Sequence, residues 1–274
     1  MALSVNTNIA SLTAQRSLSS SQNTLETAFE RLSTGKRINS SVDDAAGLAI
    51  SQTLTSKVNG LNQAVRNAND GISVVQIAEG ALDEVTTILQ RMRDLAVQAS
   101  NDSLSTTERG YLDTEATNLA SALDDVVGAA KFGSTALLNG YSSKVFQVGA
   151  DAGDTLSITI DTVSAASLTV EAADIVLGGT SGQAQSAITT IDTALGVIAS
   201  DRASLGAIQS QLESTVRNLA NVAENTAAAR GRILDTDYAA ETANLTKAQI
   251  LQQASTAILA QANAQPQSVL ALLQ

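Results

Sequence analysis

Apolar residues recur at steps of three and four along most of this chain, which is the spacing of one face of an α-helix. The longest such run joins Leu54, Val58, Leu61, Val65, Ala68, Ile72, Val75, Leu82, Val85, Leu89, Met92, Ala96 and Ala99. It predicts a heptad seam about six repeats long and, at 1.5 Å per residue, a helix of roughly 80 Å. Ser41 followed by Asp44 resembles a capping box, placing the start of this helix near Val42. After a polar break at Asn101 to Thr107, a shorter seam passes through Leu112, Leu119, Leu123, Val126 and Ala130. A third runs through Ile188, Ile191, Leu195, Ile198, Leu205, Ile208, Leu212, Val216, Leu219 and Val222. Helices carrying such stripes are unstable alone in water, so they must pack together, the late rod against the early one.

Between the seams the pattern changes. Lys144 to Val148 and Thr155 to Ile160 alternate polar and apolar, Ser167 to Val170 is β-prone, and Gly149 to Asp154 supplies turn residues. These predict a small β-hairpin region capping the rods, followed by a flexible return loop over Gly178 to Gln185.

The two ends differ again. Ala2 to Gln15 and Ala248 to Gln274 contain no charged residue, yet Val5, Ile9, Leu12 and then Ile250, Leu251, Ile258, Leu259, Val269, Leu270, Leu272 and Leu273 keep returning. Seven glutamines from Gln249 onward exclude a membrane span, which needs roughly 20 mostly apolar residues. The start has no basic n-region, continuous apolar core or cleavage site of a signal peptide, so export, if it occurs, is expected to be uncleaved. Both ends read as surfaces to be completed by protein, and identical copies are the simplest complement.

Composition removes most chemistry. There is no histidine, cysteine or tryptophan, aromatics are 2%, and the net charge is −11, with −13 on the part after Val42. The commonest general base, the thiol nucleophile and the usual zinc, copper and haem ligands are missing. An acidic body disfavours nucleic acid. Proline occurs only at Pro266, so long helices are expected to run unbroken up to the last nine residues. Asp43 with Asp44 fits a helix N-terminus better than a catalytic pair, and Gly149 to Asp154 lacks the ligand pattern of a calcium loop. Lys36 and Arg37 read as solubilising charge at an elbow. Asn39, Asn101 and Asn244 each begin an N-x-S/T pattern, but helices are expected at or near those sites. No cofactor or metal is expected.

Several stretches carry a family resemblance: RLSTGKRINSSVDDAAGLAIS from Arg31, RNANDGIS from Arg66, LQRMRDLAVQ from Leu89, DYAAETANLTKAQILQQAS from Asp237 and QANAQPQSVLALLQ from Gln261. In order and spacing they resemble bacterial flagellin over about the first 140 and last 90 residues, with the middle reduced. The resemblance implies a mainly α fold: a long antiparallel coiled-coil-like rod with a small β-hairpin region and the terminal helices paired at one end. Residues 1–40 with 235–274 correspond to an inner terminal coiled-coil domain, disordered in the free monomer; 41–140 with 186–234 to the rod; 141–185 to the turnaround. Polymerisation is then expected to rest on Val5, Ile9, Leu12, Leu18, Leu25, Phe29, Leu32, Leu245, Ile250, Leu251, Ile258, Leu259, Val269, Leu270, Leu272 and Leu273. The resemblance further implies an extracellular filament subunit serving motility, exported by the type III apparatus with a chaperone, meeting filament cap and hook-junction proteins. It also implies recognition by Toll-like receptor 5 through Arg91, Leu95 and Glu115, with Leu95 alternatively filling an interface with an adjacent subunit. A hook-filament junction protein and a free helical adaptor are the competing readings.

Overall fold

The computed structural model describes residues 7–141 and 143–271, with side chains as far as Ala264. The elements are α1 (Ile9–Thr34), α2 (Ala45–Ala99), α3 (Thr106–Ala129), β1 (Lys131–Phe132), β2 (Thr135–Ala136), β3 (Lys144–Gln147), β4 (Thr155–Ile158), α4 (Ser181–Leu234) and α5 (Tyr238–Ala271). They fall into two compact units, residues 57–224 and residues 1–56 with 225–274. The mainly helical class with a small hairpin is as the sequence predicts.

In the first unit the predicted seams form the core. Val75, Leu82, Val85, Leu89, Met92 and Ala96 of α2 are buried with Leu123 and Val127 of α3 and with Ile191, Ile198, Leu205 and Leu212 of α4. The α2 and α4 segments run antiparallel: Arg93 meets Asp192 at 2.6 Å and Arg202 meets Asp83 at 3.1 Å, while Leu61 and Ala64 pack with Leu219 and Ala223. Burial of this stripe, at about 25 cal/mol per Å² of apolar surface, is the main stabilising term.

Helix α3 begins with a full capping box, Ser105 accepting from the Glu108 N–H while the Glu108 carboxylate accepts from the Ser105 N–H. Those hydrogen bonds hold the Glu108 carboxyl below its usual range. The same helix fastens the irregular chain beyond the hairpin. Asp113 accepts from the Leu177 and Gly178 N–H groups at 2.7 and 3.2 Å, and Asp124 accepts from the Ala165 N–H at 2.8 Å. Arg109, almost wholly buried, donates to the carbonyls of Ala99, Asn101 and Gly179 at 3.0, 3.1 and 3.3 Å. One guanidinium thereby ties the end of α2 to the segment entering α4.

Four local expectations are corrected. Helix α2 starts at Ala45, not Val42, because Asp44 rather than Ser41 is the cap: its carboxylate accepts from the Gly47 N–H at 2.9 Å. Ser167 to Val170 is a turn, closed by Ser164 and Ser167 hydroxyls that bond the main chain and leave no strand to pair. Helix α4 begins at Ser181, inside the expected loop, where Gln183 accepts from the Thr180 N–H at 2.9 Å. The β3–β4 hairpin does not cap the rods. It lies along their flank, where Asn67 of α2 donates to the Gln147 carbonyl at 3.0 Å and Ala150 packs against the cluster of Leu61, Ala64, Leu219 and Ala223.

The hairpin turn falls at Gly149 to Asp154 as predicted, and Gln147 closes it by donating to the Gly149 and Asp151 carbonyls. Glycine is required at Gly149, because a Cβ there would sit 2.2 Å from Asp154 Cβ. A second, two-residue ladder at β1–β2 had no periodic signal. Helix α5 also runs on through Pro266 to Ala271, although a helix interior loses a hydrogen bond at proline.

Candidate assembly surface

In the second unit α1 and α5 form an antiparallel pair whose backbones come within 8 Å, Cα to Cα. Residue size explains the closeness. The buried seam of α1 is Ala14, Ser21 and Ala28, and that of α5 is Glu241, Ala248, Ser255 and Ala262, each seven apart. Leu18, Leu25, Leu32, Leu245 and Leu259 flank the seam half-buried. Small residues on both sides let the main chains approach more closely than leucines would. Few polar links fix the pairing. Asn8 donates to the Ala262 carbonyl at 2.7 Å and Ser11 to Asn263 Oδ1 at 2.8 Å at one end, and Arg31 meets the buried Glu241 carboxylate at 3.8 Å toward the other.

Beside that ion pair the chain turns through an elbow. Gly35 ends α1 with φ +70°, and a Cβ there would lie 2.8 Å from the Tyr238 hydroxyl, so both conformation and space call for glycine. The Lys36 and Asp235 backbones form an isolated antiparallel bridge, the Arg37 N–H donates to the Leu234 carbonyl at 2.7 Å, and the Arg37 guanidinium donates to the Ile233 carbonyl at 2.8 Å. Arg37, read from sequence as solubilising charge, thus completes the C-terminal end of α4. Asp43 accepts from the Asn39 and Ser40 N–H groups, and those backbone bonds hold its carboxyl below the usual range.

What the pair leaves outside is apolar. Ile9 is 68% exposed, Leu12 and Phe29 about half, and on α5 Ile250 is 59% and Ile258 60% exposed, with Leu251 close behind. Ile9, Leu12 and Ile250 lie about halfway round their helices from the seam. The sequence-predicted assembly residues therefore separate into two sets. The half-buried leucines support the pair, and the exposed residues have no complement within it. Val5, Leu272 and Leu273, and the side chains of Val269 and Leu270, lie outside the described residues.

The other predicted group sits on α2 and α3. Arg91 and Glu115 are exposed and joined at 2.7 Å. Leu95 is only 1% exposed and fills this chain's own core, so the expectation that it fills an interface between subunits does not hold. Among the described residues no helix is long and apolar enough to cross a membrane.

Comparison with known proteins decides the family. The bacterial flagellin N-terminal helical region matches residues 5–143, and the C-terminal helical region matches residues 188–273. The chain belongs to the flagellin family. It is 43% identical to a flagellin of Halalkalibacterium halodurans, covering 98% of this chain and 99% of that one. It is 38% identical to flagellin B of Vibrio cholerae serotype O1 over 375 aligned positions, covering both chains fully. That alignment exceeds the 274 residues present here, as expected where flagellins carry a larger middle. The crystal structure of Bacillus cereus flagellin superposes with a TM-score of 0.50 at 30% identity, covering 60% of this chain and 94% of that one. Flagellins are structural proteins of the extracellular flagellar filament that serve motility, not enzymes.

Proposed function

We propose that this chain joins the filament by completing its α1/α5 surface against neighbouring copies. The observation that carries the reading is the exposed set Ile9, Leu12, Phe29, Ile250, Leu251 and Ile258 on a pair whose own seam is already filled by alanine and serine. Burial of these side chains between copies is the driving term, opposed by the ordering of the ends. On this reading residues 1–40 with 235–274 make the inner layer and residues 41–140 with 186–234 the rod around it. The chain reaches the outside unfolded and uncleaved through the flagellar type III export apparatus, escorted by a chaperone, and meets the cap and hook-junction proteins there. Support for the export step is the family alone.

Deleting Gln265 to Gln274 tests it: the expected product keeps the helical content of residues 57–224 and fails to elongate filament seeds. Normal filaments from the truncated chain, seen by electron microscopy, are the opposing result. Elongation of seeds by the full chain also separates a filament subunit from a hook-filament junction protein or a closed helical dimer, neither of which grows.

A second reading, recognition by Toll-like receptor 5, is favoured by the exposed Arg91–Glu115 pair. In it Arg91 and Glu115 offer the contact, and Leu95 acts from beneath by fixing α2. Receptor-reporter cells given Arg91→Ala protein should respond more weakly than to the unaltered chain; an equal response removes Arg91 from the contact.

A further inference from the structure

The dipeptide Asn-Gly occurs twice in the chain, and the fold places the two copies in opposite backbone settings. Asn59–Gly60 lies inside α2, whereas Asn139–Gly140 lies in the turn after β2, where Gly140 has φ +86°. Both asparagines are exposed, so access to water does not distinguish them.

The chemistry open to such a dipeptide is intramolecular. The backbone nitrogen of Gly140, on losing its proton, attacks Asn139 Cγ. The new N–Cγ bond closes a five-membered imide, the Cγ–Nδ2 bond breaks, and the nitrogen leaves as ammonia with the transferred proton. Water then opens the imide at either carbonyl, giving aspartate or isoaspartate, and nothing is oxidised or reduced. Glycine offers no Cβ to obstruct the approach. In α2 the Gly60 N–H belongs to the i→i−4 hydrogen-bond ladder, and the attack requires local opening first.

We infer that Asn139 is a site of spontaneous deamidation and isoaspartate formation, and that Asn59 is held back by its helix. The product matters because of its neighbours. Leu137 and Leu138 are fully buried, the Leu138 carbonyl accepts from the Val163 N–H at 2.8 Å, and the Tyr141 carbonyl accepts from the Ile160 N–H at 3.1 Å. Isoaspartate lengthens the main chain by one carbon between those two anchored carbonyls. Every converted copy also gains a negative charge on a chain already at −11.

The test needs no variant, since trypsin separates the two sites. Residues 132–144 carry Asn139 and residues 58–66 carry Asn59. Full-length protein is incubated in mildly alkaline buffer made with heavy-oxygen water, then digested and weighed. The expected result is heavy-oxygen uptake and isoaspartyl methyltransferase labelling in the 132–144 peptide, with conversion in the 58–66 peptide at least about tenfold slower. Equal rates in the two peptides, or an unchanged 132–144 peptide, overturn the inference. Asn139→Ser protein should show no uptake in its 132–144 peptide; persistent uptake there would place the reaction at another residue.

Discussion

At the scale of single residues, the buried charges are the most demanding parts of this fold. Arg109 satisfies three carbonyls from two separate stretches of chain, so removing it leaves the buried Ala99 carbonyl without its partner and unfastens the other two. Arg109→Ala should cost about 2–4 kcal/mol of unfolding free energy, read by urea titration. Asp201 is the opposite case. Its Oδ2 is buried without a hydrogen-bond partner, and burial, with the nearby Asp161 carboxylate, pushes its pKa up. A carboxyl whose folded pKa is raised binds its proton more tightly when folded, so its charged form weighs against the fold above that pKa. Its contribution to stability should therefore rise as pH falls through the raised value and level off below the ordinary one near 3.8. Asp201→Asn should raise the melting temperature at neutral pH and remove that part of the pH dependence. Thermal unfolding across pH checks both.

Helices show which physics the sequence makes readable. Leu82, Val85, Leu89 and Met92 were legible as core because a large apolar side chain repeated at helical spacing has few other places to go. Leu89→Ala should cost about 2–5 kcal/mol by chemical denaturation. The α1/α5 seam was illegible for the complementary reason. Alanine and serine carry almost no hydropathy signal, and reading only large residues directed attention to Ile9, Leu12 and Ile250, which the pair leaves exposed. The sevenfold spacing of Ala14, Ser21 and Ala28 was a usable signal that large-residue periodicity overlooks. Two variants separate the roles. Ala28→Leu should drive the helices apart, at about 1–3 kcal/mol, and lower the helical signal of the assembled protein. Leu12→Ser should leave the pair's circular dichroism unchanged while slowing growth on seeds. Strand boundaries and the start of α2 were less readable, since Asp44 and Ser164 act through single hydrogen bonds that leave no periodic trace.

For the whole molecule, order along the chain matters as much as content. The stretches that named the family lie near the ends and along the first long helix, while in the middle only the β3–β4 hairpin followed an alternating pattern and the β1–β2 ladder and serine-closed turn followed none. The alignment with one relative runs to 375 positions and that with another to 272, so flagellins vary in length, and this short chain, with its reduced middle, retains both matched helical regions. One consequence follows from the hydrogen bond between Asn8 and Ala262, which joins residues 254 positions apart. Closing so long a loop costs entropy that no local contact repays in advance. The earliest helix of the chain therefore waits for the last one, and a molecule interrupted anywhere before Tyr238 has nothing to set against α1. If copies assemble through this surface as proposed, the pairing is also a test of completeness, since a prematurely ended copy cannot present the finished two-helix surface to its neighbours.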